Sequence, residues 1–68
     1  MASIEKIGTA AGALWRFLST GGPATLYAIE RGVDIPKPVV SMALGWLARE
    51  GKLRIEETER SVRYSVVD

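Results

Sequence analysis

The side chains in this chain that can do chemistry are few, and the missing kinds narrow the choice. Glu30 and Asp34 stand four residues apart, one at the end of a predicted helix and one in a turn, where Asp34 is better read as stabilising the turn than as an acid or base. Ser41 and Tyr27 carry hydroxyls, but there is no histidine to activate either and no cysteine to act as a nucleophile. No glycine-rich loop follows a strand, so no phosphate cradle of the nucleotide-binding kind is encoded. Zinc would find no thiolate or imidazole, and calcium or magnesium would find no convincing set of oxygen ligands, so no catalytic residue, metal or cofactor is expected. What remains is cationic. Lys37, Arg49, Arg54, Arg60 and Arg63, with Ser41 as a hydrogen-bonding hydroxyl, are groups of the kind that hold phosphates or read base edges.

Charge balance argues against a strong version of that reading. Nine Lys and Arg against eight Asp and Glu leave a formal charge of +1 on 68 residues. Near the C-terminus Lys52, Arg54, Arg60 and Arg63 are interleaved with Glu56, Glu57, Glu59 and Asp68, a pattern that pairing across a solvated hairpin explains as well as phosphate contact does. Binding to DNA without sequence preference would rest on about three to five phosphate contacts and would weaken steeply with salt. A chain that is 47% hydrophobic and 25% charged is expected to fold, and its length fits one domain over residues 1–68. No uninterrupted apolar run is long enough for a signal peptide or a membrane span, so a cytoplasmic protein without a membrane partner is expected.

The elements that must position these groups follow from hydrophobic period and punctuation. Ser3 is a good N-cap for a helix from about Ile4 to Leu18, with Glu5 in its first turn, and Thr20, Gly21, Gly22 and Pro23 stop it. Ile4, Ile7, Ala11, Leu14, Trp15 and Leu18 gather on one side, widened by Ala10 and Phe17 to an arc of about 160°. A short second helix fits about Thr25 to Arg31, with Leu26 and Ile29 inward and Gly32 as the stop. Val33, Asp34 and Ile35 connect it to a third helix that opens at Pro36 and Pro38, buries Val40, Ala43, Leu44 and Leu47, and runs to about Glu50 before Gly51. The period then changes to two. Leu53 and Ile55 alternate with Arg54 and Glu56, and Val62, Tyr64 and Val66 with Arg63 and Ser65, giving two strands around the polar loop Thr58 to Ser61. Three helices followed by a two-stranded β-hairpin is an α+β order, that of a winged helix-turn-helix domain.

Within that order the segment Ala43-Leu44-Gly45-Trp46-Leu47-Ala48-Arg49-Glu50-Gly51-Lys52-Leu53 resembles the signature of a small bacterial and archaeal winged helix-turn-helix family of unknown function. The resemblance extends over nearly the whole chain, although only Gly-Trp-Leu-Ala-Arg-Glu is distinctive. It implies three helices and a wing, no catalytic residues and self-association, and it names no ligand. Pro36-Lys37-Pro38 departs from the pattern, since such helices more often open with Ser followed by acidic residues.

Two functions of different class stay open on this scaffold. As a DNA-associated protein, such as a small transcriptional regulator of double-stranded DNA, it would use Lys37, Ser41 and Arg49 on the third helix and Arg54, Arg60 and Arg63 on the wing. As a protein-interaction module, it would dock a partner on the flank stripe Val39, Met42 and Trp46 or on the dimer surface of the first helix. A domain of about 60 residues buries only about 60% of its unfolded surface, so leftover apolar area is an expected interface. A homodimer is therefore expected, through Ile4, Gly8, Ala11, Gly12 and Trp15 of the first helix meeting their copies across a two-fold axis. The alternative is that both tryptophans finish the core of the monomer.

Overall fold

Helix α1 begins as its cap requires, with the Ser3 Oγ accepting from the Lys6 N–H at 3.2 Å and Glu5 in the first turn against the positive end of the helix dipole. The computed structural model describes residues 3–67; Asp68, one of the acids set against the wing cations, lies outside them. α1 covers Ile4–Gly21, three residues more than expected. Thr20 and Gly21 are poor helix formers, yet they only weaken a helix. The stop is Gly22, whose φ of 80° and ψ of −169° suit only glycine and whose N–H donates to the Leu18 carbonyl at 2.9 Å.

Strand β1 follows, Ala24–Thr25, an element absent from the expected hairpin-only sheet. Thr25 also caps helix α2, Leu26–Gly32, its Oγ1 accepting from the Ala28 N–H at 3.2 Å, so the residue expected to begin the helix stands just outside it. Helix α3 is Lys37–Arg49, with Pro36 as N-cap and Pro38 in the first turn, and Glu50 is its C-cap. Its end is closed by two reciprocal bonds, Lys52 N–H to the Leu47 carbonyl at 2.9 Å and Gly51 N–H to the Ala48 carbonyl at 3.1 Å, made with Gly51 at φ 73°.

The hairpin is β2, Leu53–Glu57, and β3, Val62–Val66, in the antiparallel register Leu53 to Val66 through Glu57 to Val62. β1 pairs with the other side of β3, Ala24 opposite Tyr64 and Thr25 opposite Arg63, giving the order β1-β3-β2. The two-stranded wing is present as expected and is widened by one two-residue strand. The core is a single cluster of Ala10, Ala11, Leu14 and Leu18 from α1, Ile29 from α2, and Val40, Ala43, Leu44 and Leu47 from α3, with Leu53, Tyr64 and Val66 of the sheet packed against it. Ile4 and Trp15, drawn into the same stripe by helical period, are 74% and 39% exposed.

Candidate nucleic-acid interface

Burial of Val40, Ala43, Leu44 and Leu47 fixes the rotation of α3, and the opposite face carries Pro38, Ser41, Met42, Gly45, Ala48 and Arg49, with Lys37 at the side of the first turn, all exposed. Lys37 and Arg49 stand at the two ends of α3, about 18 Å apart along its axis at 1.5 Å per residue. Between them the face is low and nearly free of hydrogen-bonding groups, with Ser41 the exception. Ser41, Gly45 and Ala48 form one wall of an open apolar hollow of about 230 Å³, completed by Leu26, Leu53, Ile55 and Tyr64 where the helices meet the wing.

On the wing, alternation places Arg54 and Glu56 of β2 on the sheet face opposite Leu53 and Ile55, and register sets Arg63 directly across from Glu56. Arg60 is in the tip, which Thr58 holds: its N–H donates to the Ser61 carbonyl at 2.9 Å, and its Oγ1 accepts from the N–H groups of Ser61 at 3.1 Å and Arg60 at 3.3 Å. Among the described residues Glu56, Glu57 and Glu59 form no ion pair with these arginines. Among the described residues the ion pair formed is Lys52 with Glu50, at 3.9 Å, while Lys37, Arg49, Arg54, Arg60 and Arg63 are exposed and outside any ion pair. Arg31 is committed elsewhere, donating to the Tyr27 hydroxyl at 3.1 Å with its guanidinium 5.5 Å from the ring centroid.

The structure thus brings Arg54 and Arg63 to one sheet face and leaves Lys37 and Arg49 at opposite ends of α3. The flank stripe is divided. Val39 and Met42 line an open hollow of about 440 Å³ with Lys6, Asp34, Ile35, Pro36 and Pro38, where Met42 is 42% exposed. Trp46 turns the other way and lies on α1, its Cζ2 3.6 Å from where a Cβ on Gly8 would stand. Of the five α1 residues set out for a second copy, Ala11 is buried in the chain's own core and Gly8 lies under its own Trp46. Ile4 and Trp15 are exposed and Gly12 half-buried on that face. Ile55, which sequence reasoning placed on a strand without giving it a role, is 50% exposed at the sheet edge, and its apolar type between Arg54 and Glu56 was the available signal.

Among the described residues no group of acids is arranged to hold a metal ion, and no helix is long and apolar enough to cross a membrane. A family model described as a winged helix-turn-helix domain (DUF2582) matches residues 1–65. No curated protein sequence matches the chain. Among the solved structures that share the fold are two from other proteins. One, from work on the DNA recognition and protein interaction domains of HOP2 and its homologous DNA pairing properties, is 24% identical with a TM-score of 0.71, over 85% of this chain and 98% of that one. The other, the antimony-specific transcriptional repressor AntR, is 22% identical with a TM-score of 0.67, over 98% of this chain and 56% of that one.

Proposed function

Because the chain belongs to the family of winged helix-turn-helix domains designated DUF2582, we propose that it is a non-enzymatic binder of double-stranded DNA, a small transcriptional regulator, that sets α3 against the major groove and reaches flanking phosphates with the wing. The observation that carries this reading is the state of the wing. Three arginines, Arg54, Arg60 and Arg63, are exposed and outside any ion pair among the described residues although Glu56, Glu57 and Glu59 lie among them. Lys37 and Arg49 add a cation at each end of α3, and Ser41 supplies its hydrogen-bonding hydroxyl. A face of Ser41, Gly45 and Ala48 offers little to base edges, so affinity rests on phosphates and its salt dependence is steep. The two fold neighbours agree with this direction, one being a transcriptional repressor and the other studied for DNA recognition.

Val39 and Met42 favour a second reading, a protein partner docked in the apolar hollow at the start of α3. Amide NMR of labelled protein titrated with a random-sequence duplex separates the two. Salt-sensitive shifts at Lys37, Ser41, Arg49 and the wing are expected. A spectrum unmoved at low salt removes DNA as the ligand and turns attention to the Met42 surface.

A further inference from the structure

Strand β2 is an outer strand of the sheet, and its free side has a definite hydrogen-bonding phase. The bonds Val67 N–H to Lys52 carbonyl and Thr58 N–H to Ser61 carbonyl, both 2.9 Å, fix which β2 residues turn their backbone toward β3: Lys52, Arg54, Glu56 and Thr58. Leu53, Ile55 and Glu57 therefore direct their N–H and C=O groups outward, unpaired, along an edge where Arg54 through Glu57 are exposed.

We propose that this edge pairs antiparallel with the same edge of a second copy, about a two-fold axis at Ile55, joining the two sheets into one of six strands. Charge selects the register. Pairing about Ile55 sets Arg54 opposite Glu56 of the second copy and Glu56 opposite Arg54, two oppositely charged cross-strand pairs on the outer sheet face. The neighbouring registers of the same hydrogen-bonding phase centre on Arg54 or on Glu56 and bring like charges face to face on the axis. In-chain pairing extends the pattern: Glu56 already stands across from Arg63, so in the dimer it lies between two arginines.

The other sheet face agrees. Ala24, Tyr64 and Ile55 form one row across the three strands, and pairing about Ile55 continues that row through the second copy's Ile55, covering the half-exposed side chain. Opposite charges on one face and an apolar row on the other fit a second copy of this chain, and the contact is isologous, so it closes as a dimer. It is independent of the nucleic-acid reading, apart from drawing Arg54 out of the phosphate-binding set.

Sedimentation velocity from micromolar to millimolar protein, with hydrogen exchange on the wild type, tests the pairing. The wild type is expected to dimerise, and the Leu53, Ile55 and Glu57 amides to gain protection as concentration rises. Arg54→Glu faces Ser65 within its own chain but Glu56 in the second copy, and should weaken association at least about tenfold, each like pair being destabilising. Because Glu56 faces Arg63 in its own chain, the triple variant Arg54→Glu, Glu56→Arg, Arg63→Glu is the one that restores opposite charges both within and between copies, and it should recover association to within about threefold. A wild type monomeric at millimolar concentration overturns the proposal. So does a dimer indifferent to Arg54→Glu, or one whose protection falls on α1 and leaves those three amides exchanging freely.

Discussion

Replacing Arg60 and Arg63 with alanine together removes two of the five exposed cations on α3 and the wing that form no ion pair among the described residues. If all five meet phosphates, the logarithm of the association constant falls with the logarithm of salt at a slope of about −4.5, and a rise from 50 to 200 mM salt costs about 500-fold in affinity. The double variant should show a slope of about −2.7 and a loss of about 40-fold over the same range. If a second copy's Glu56 holds Arg54, the starting slope is about −3.6, but the difference of about 1.8 between wild type and variant is unchanged. Both side chains are exposed, so stability should stay within about 0.5 kcal/mol and affinity can be compared at equal folding. Fluorescence anisotropy of a labelled random-sequence duplex, titrated at four or more salt concentrations, reads the slopes directly. Equal slopes for the two proteins would refute the wing contact, and a wild-type slope near zero would refute phosphate binding altogether.

Other expectations concern the scaffold. Ile29 is the fully buried residue by which α2 is anchored, so Ile29→Ala should cost about 2–5 kcal/mol in denaturant unfolding. A loss below about 1 kcal/mol would mean that α2 contributes little to the core. Gly22→Ala forces a β-carbon into a glycine-only conformation and should cost about 1–3 kcal/mol although nothing lies near enough to clash, and a neutral result would contradict the φ of 80°. Gly45 is in mid-α3 with open space beside it, so Gly45→Ala should raise stability by about 0.5–1 kcal/mol in thermal unfolding. Weaker duplex binding by this stabilised variant would show that DNA approaches the α3 backbone closely, and unchanged binding that it does not.

Local chemistry made much of this fold readable from residues. Ser3, Pro36 and Gly51 mark helix boundaries through caps and φ preferences that act within a few residues, and Val40, Ala43, Leu44 and Leu47 declare their face by spacing alone. The end of α1 was read too early because Thr20 and Gly21 lower helix propensity without breaking the helix. β1 was invisible, since two residues carry no period and owe their conformation to Arg63 and Tyr64, nearly forty positions away. Helical spacing likewise drew Ile4 and Trp15 into the stripe, but whether a wide apolar arc is covered depends on the extent of its partner, here α3 and the sheet. The same holds for the candidate interface. Residue types named the cations, while the absence of ion pairs among the wing's described residues depends on side-chain placement that alternation of sign does not determine. Gly8 looked like room for a second copy, and Trp46 of the same chain takes it.

Thr25 belongs to two elements at once: its backbone pairs with Arg63 in the sheet, and its hydroxyl holds the first turn of α2. A force that lifts the hairpin away from the body therefore pulls on the start of the second helix, and loss of that first turn frees one side of the hairpin's inner strand. Through this one residue the wing is tied to the start of α2. Whatever grips its tip is felt at α2, and the opening of the two should be seen in hydrogen exchange as one event.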